Sequence, residues 1–408
     1  MGFTVEQECP QCGGPIELDE ADHLMECPYC GVNHFLSAND YFRFVLPLKT
    51  DCDDTIYAPY LRFKGNVFYC DQQNVGYRIV DITHLGLPIN GLPVSLGLRP
   101  QAMKIRFVTP KLNGRYLRFS LKAIDIINQA GKLSTVPSSK QILHRAFIGE
   151  TLNLIYLPMY LKNDRLYDGV IDKLIQGFNG DKDTLEQAFL KEPKWKISFM
   201  ATICPHCGWN LTGKKDSIVL TCSSCESAWE VVKGRFNRVR HVMVPCASDH
   251  PVYLPFWKIK AETTSVEINT FPDFIRLTNQ PRVLGQDWEN EPMHYWSPAF
   301  KIRPKVFLTL SRQFTIAQKR YPGEEKIPGK DSYPVTLPLS EAVQALKVIL
   351  ASSTLYKKNI YPHLPEIRFK VLDSLLVYLP FVQRGQELIQ EQMQICINRN
   401  TLEFGRKL

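Results

Sequence analysis

Eight of the twelve cysteines fall in four Cys-x-x-Cys pairs, and the pairs form two identical groups. Cys9, Cys12, Cys27 and Cys30 read C-x2-C-x14-C-x2-C. Cys204, Cys207, Cys222 and Cys225 repeat that spacing, each 195 residues after its counterpart. A module of about 30 residues cannot bury enough apolar surface to fold alone, and four thiolates at this spacing suit one tetrahedral metal ion. The turns "CPQCGG" and "CPHCGW" each aim two sulfurs at a common centre. The segments between them, "PIELDEADHLME" and "NLTGKKDSIVLT", are expected to form β-hairpins that bring the knuckles together. Four cysteines leave no position for water, so the two expected Zn²⁺ sites are structural rather than catalytic. A redox Cys-x-x-Cys competes with this reading, but such motifs come singly and precede a helix.

The opening "MGFTVEQECP" has neither a basic region nor an apolar run, so no signal peptide is expected. Glu6 stands where N-myristoylation needs Ser or Thr. No apolar run approaches the roughly 20 residues of a membrane helix. The expected location is the cytoplasm, where paired cysteines favour metal over disulfides.

The similarity between the halves extends past the cysteines. "YAPYLRFKG" (57–65) aligns with "YLPFWKIKA" (253–261), "AMKIR" (102–106) with "AFKIR" (299–303), and "LIYLPM" (154–159) with "LVYLPF" (376–381). The offset grows along the chain, and the Gly- and Pro-rich stretch 319–336 is the expected insertion in the second copy. The pattern predicts a tandem duplication: ribbon 1–40, β-rich domain 41–178, helical linker 179–200, ribbon 201–232 and β-rich domain 233–408.

Tyr-x-Pro occurs at Tyr57, Tyr156, Tyr253 and Tyr378 among β-branched and aromatic neighbours, each ahead of a turn. These read as strand–turn–strand hairpins. Proline lacks an N–H, so edge strands or bulges are expected. Helices are expected at 339–353, with Ser340 as N-cap, at its counterpart 120–131, and at 165–178 and 183–192. The fold class is a β-dominated α+β fold.

The net charge of +8 is unevenly spread. Residues 1–42 hold eight acids and no Lys or Arg. Residues 99–145 hold Arg99, Lys104, Arg106, Lys111, Arg115, Arg118, Lys122, Lys132, Lys140 and Arg145 against Asp125 alone. Residues 296–321 hold Lys301, Arg303, Lys305, Arg312, Lys319 and Arg320 and no acid. Three readings compete for these faces, one of them a plain solvated strand face, since "KIRF" and "RYLRFS" alternate charged with apolar residues. Another is a polyanion, meaning nucleic acid or an anionic membrane surface, held by Arg99, Lys104, Arg106, Arg115, Arg118, Lys301, Arg303 and Lys305. The last is a dock for the acidic first ribbon.

No enzymatic constellation stands out. "GWNLTGKK" (208–215) fails the phosphate-loop pattern, because Lys215 stands where Ser or Thr must hold Mg²⁺. HExxH, GxSxG and GxGxxG are all missing from the sequence.

The knuckles resemble zinc ribbons of the transcription factor IIB and rubredoxin-like CPxCG type, over about 30 residues in each copy, which implies a metal-stapled β module. The whole resembles uncharacterised bacterial proteins with tandem zinc ribbons. The expected function is a non-enzymatic zinc-ribbon adaptor or scaffold that binds a protein partner, with an anionic membrane surface as one setting. The alternative is a nucleic-acid-binding regulatory protein using 99–145 and 296–321.

Overall fold

The computed structural model describes residues 2–49, 54–110, 112–127, 141–178, 182–191, 195–248, 250–329 and 332–406. Lys111, Lys132 and Lys140 lie outside the described residues. Among those described, strands dominate and form sheets of ten, three, three and six strands.

Two long antiparallel pairs organise the molecule. In the first half, Thr55–Asp71 pairs along its length with Ile142–Lys162. The outer edge of Ile142–Lys162 takes Phe42–Val45 in parallel and Arg165–Asp168 antiparallel. The outer edge of Thr55–Asp71 takes Val75–Leu85 and then Arg115–Tyr116. In the second half, Pro251–Thr263 pairs with Phe369–Arg384. His241–Met243 runs parallel to Phe369–Arg384, Glu387–Gln390 follows antiparallel, and His294–Pro298 flanks Pro251–Thr263.

The Tyr-x-Pro segments are interior strands, not the edge strands the prolines suggested. Tyr57 faces Pro158 and Pro59 faces Tyr156; in the second half Tyr253 faces Pro380 and Pro255 faces Tyr378. Three of the four proline carbonyls point outward, away from the long partner. Pro59 O accepts from Gly86 N, Pro158 O from Gly169 N and Pro255 O from Ala299 N. The missing N–H shares that outward side. At Pro59 it falls where the flanking strand Val75–Leu85 ends and Arg115–Tyr116 begins, so no ladder bond is lost.

Strand alternation sorts the core. On Thr55–Asp71, Tyr57, Leu61, Phe63 and Val67 join one apolar cluster with Tyr116, Leu154 and Tyr156. The opposite face starts with Ile56, Ala58 and Tyr60, packed against the first ribbon's Phe3, Val5, Ile16 and Leu36. It ends with Phe68 and Cys70, which with Ala146 and Ile148 enter the core of the second half. Between these apolar stretches lie Arg62, Lys64 and Asn66, all buried. The core of the second half therefore takes in residues of the first, and a buried polar seam separates it from the ribbon-side cluster.

Several expectations are corrected. Segment 165–178 is not helical: Arg165–Asp168 and Lys173–Leu174 are strands. Asn163 and Asp164 take positive φ in the preceding turn, and Asp168 Oδ1 accepts from Val170 N and Ile171 N, which breaks any helix there. Among its described residues the linker 179–200 carries one helix, Lys182–Ala188, and its end belongs to the strand Ser198–Ala201, which pairs with Asn33–Ser37 of the first ribbon. The C-terminal helical stretch divides into Leu339–Gln344 and Leu346–Ser353. Its N-cap is Pro338, with Ser340 already inside the first turn. Lys104 and Lys301 do not share a setting. Lys104 lies on the exposed ribbon face, whereas Lys301 is wedged between the halves before the helix Pro304–Ala317.

Candidate metal centres

Each knuckle sits at the tip of its own hairpin. In the first ribbon, Thr4–Glu8 pairs with Pro15–Asp19 around Cys9 and Cys12, and Leu24–Glu26 pairs with Asn33–Ser37 around Cys27 and Cys30. The segment between the knuckles is thus split across two hairpins rather than folded into one. In the second ribbon, Val219–Cys222 pairs with Ser227–Val232, and the bridge Thr212–Thr221 ties the two knuckles together. Gly13, Gly31 and Gly208 take positive φ as the chain turns past a knuckle, and each donates its N–H back to a cysteine carbonyl.

The structure brings each quartet together, with all sulfurs of a group within 4.8 Å of one another. Cys9 and Cys30 sulfurs lie 3.8 Å apart and Cys12 and Cys27 3.6 Å apart. The second group gives 3.7 Å for Cys204–Cys225 and 3.4 Å for Cys207–Cys222. Zinc–sulfur bonds in a tetrahedron put the sulfurs about 3.8 Å apart, so the donor set fits a divalent metal. The electrostatics agree. Burial raises the Cys27 thiol, but hydrogen bonds from the Cys30 and Tyr29 N–H groups outweigh it and hold the thiol down at about 6. Cys204 is likewise held at about 6, where Cys207 and His206 N–H groups outweigh burial. Cys12 and Cys225 are pushed up to about 12: the N–H of Gly14 and the hydroxyl of Ser227 favour their thiolates, but burial and the neighbouring sulfurs win. Four sulfurs this close cannot all ionise without a cation between them. A bound metal would supply that charge and tie two hairpins into one module.

The two ribbons brace each other, and the C-terminal helix braces the second. His23 N and Leu24 N of the first both donate to Lys215 O of the second at 2.8 Å. Leu24, Phe35, Leu211, Leu220 and Trp229 form a shared apolar cluster. Arg406 clamps Asp216, with 2.7 Å from Nε to Oδ2, so the C-terminal helix Arg399–Gly405 holds the second ribbon.

The basic candidates are largely spent inside the chain. Lys104 Nζ reaches Glu17 at 2.5 Å and Glu6 at 3.4 Å, and Arg106 reaches Glu6 at 3.5 Å. Arg99 pairs with Asp168 at 2.5 Å, and Arg115 with Asp54 and Glu186 at 3.1 and 2.7 Å. Lys301 Nζ donates to Thr151 Oγ1 at 3.0 Å and Glu150 O at 3.4 Å, and burial lowers its pKa. Arg118, Arg303 and Lys305 are exposed, with no ion pair to another described residue.

Sequence reasoning missed the seam. Arg62, 1% exposed, donates to Glu20 of the first ribbon at 2.9 Å and pairs with Asp81. Glu341 accepts from Gly149 N and from Glu150 N at 3.3 Å. Those two N–H groups are free because the register slips between Ile148 and Thr151, a β-bulge. Only the alternation Arg62, Lys64, Asn66 within a strand pattern pointed there. Among the described residues, no helix is long and apolar enough to cross a membrane. No protein-family model, no curated protein and no solved structure matches the chain.

Proposed function

We propose that the chain is a non-enzymatic adaptor with two structural zinc ions, one in each cysteine quartet, and a ribbon surface that engages a protein partner. The observation that supports partner binding is a set of large apolar side chains left exposed beside the cysteine quartets. Trp209 is 60% exposed, Tyr29 65% and Ile203 52%. Exposed aromatics on a rigid, metal-stapled turn are what protein interfaces enrich. Closed four-sulfur sites offer no position for substrate, which favours a scaffold over an enzyme. The cytoplasm, where thiols stay reduced, is the fitting compartment. Affinity capture from the native lysate, with nuclease treatment, tests the reading. Proteins retained by the wild type and lost from Trp209→Ala support it; identical recovery by both contradicts it.

The origin proposed for this architecture is a tandem duplication with ribbons at 1–40 and 201–232. The paired Tyr–Pro registers support it. So does a matching detail: Ser120 N and Leu121 N donate to Gly86 O just as Thr336 N and Leu337 N donate to Ala299 O. On this correspondence the extra residues of the second copy lie mainly between Thr263 and His294, around the helix Phe271–Thr278, and not at 319–336.

A nucleic-acid reading keeps one supporting observation. A cleft of about 290 Å³ gathers Lys305, Arg312 and Lys357 beside Tyr77 and Tyr361, with no acid in its lining. Binding that weakens steeply with salt and disappears in Lys305→Glu would favour it.

A further inference from the structure

The two quartets match in spacing but differ in what surrounds the sulfurs. Two residues after the last cysteine of the second quartet comes Ser227, fully buried. Its Oγ lies 3.0 Å from Cys225 Sγ and 3.7 Å from Cys204 Sγ. Trp229 Nε1 donates to the same oxygen at 2.8 Å. A hydroxyl has one proton. With a lone pair taken by the indole N–H, that proton is left for the sulfur, and a metal-bound thiolate can only accept. The thiolate thus fixes the direction of the O–H···S bond, and the indole N–H, on one of the oxygen's two lone pairs, holds the hydroxyl in place.

Among the described residues, the first quartet has no such device. The matching position is Val32, which offers Cys30 only its backbone N–H, and the position matching Trp229 is His34. Cys30 is exposed, whereas Cys225 is half-buried. Four thiolates on a divalent ion carry a net charge of about −2. A donor aimed at one sulfur spreads that charge and holds the ligand in place, as partners of metal ligands generally do.

We propose that Ser227 is a positioning residue that makes the second centre the firmer of the two, so that a competing chelator empties Cys9, Cys12, Cys27 and Cys30 first. This rests on the reading of both quartets as metal centres. The first ribbon is then the module whose fold responds to metal supply, while the second stays assembled.

The test uses the full zinc-loaded chain. Metal content is measured first, and a value below two per chain before any challenge counts against the metal reading itself. EDTA is then added, samples are pulse-alkylated with iodoacetamide, and labelled cysteines are mapped by mass spectrometry. The first quartet should label before the second. Ser227→Ala should weaken the second centre roughly 10–100-fold and close the gap. Val32→Ser, which places a hydroxyl beside Cys30, should slow labelling of the first. Simultaneous labelling in the wild type, or an unchanged order and rate in Ser227→Ala, overturns the proposal.

Discussion

Arg62 shows how one residue can tie three parts of the chain together. Its guanidinium is 1% exposed, bonded to Glu20 of the first ribbon and paired with Asp81 of the neighbouring strand. Removing one partner of a buried pair leaves the other charge stranded, at a cost of about 3–5 kcal/mol. Arg62→Ala should therefore lower unfolding stability by that amount in urea titration, while Lys104→Ala, an exposed pair, should change it by under about 1 kcal/mol. Equal effects would contradict this placement. The cysteine quartets were legible in the sequence because their spacing is geometry written as numbers. The role of Arg62 was not. "YLRFKG" shows that charge alternates with apolar groups, and such a strand usually turns its charges to water. Here that face is covered by a ribbon and by the second half, and no local pattern records what covers a face.

At the scale of elements, the strand proline Pro59 works because of the neighbour beside it. Gly86 ends the strand next to Pro59 and donates to its carbonyl. A Cβ on Gly86 would lie 2.2 Å from the ring of Phe119 and 3.0 Å from Pro59 O. Overpacking of this kind costs about 1–3 kcal/mol. Gly86→Ala should lower the melting temperature, and Phe119→Ala should restore part of the loss; no change in Gly86→Ala would argue against the close approach. The strands were legible from Tyr-x-Pro and β-branched residues. Their interior position was not, since a proline is excluded from a ladder only where a partner would need its N–H. The helix expected at 165–178 failed for a related reason. Its apolar spacing suits a helix, but turn chemistry at Asn163, Asp164 and Asp168 decides the backbone first.

For the whole molecule, the joint between the halves is the bulge at Gly149 and Glu150, held by Glu341 and Lys301. Burial pushes the Glu341 carboxyl up to about 7 from an ordinary 4.5, with the attraction of Lys301 opposing it. A carboxyl raised on folding contributes stability that is complete below its unfolded value and lost as pH rises through the folded one. The wild type should thus lose stability relative to Glu341→Gln between pH 4.5 and 8. A constant difference across that range would show that the carboxyl ionises normally. Neither role was legible, because the joint unites Gly149 and Glu341, almost 200 positions apart, on no shared motif, and Lys301 read from the sequence as a surface charge. The central claim is that two metal-stapled ribbons are built into this shared frame. The most direct test is elemental analysis of the purified chain combined with X-ray absorption at the metal edge. Two zinc ions per chain, each ringed by four sulfurs, is the predicted result. One ion or none, or oxygen and nitrogen in the first shell, would contradict it.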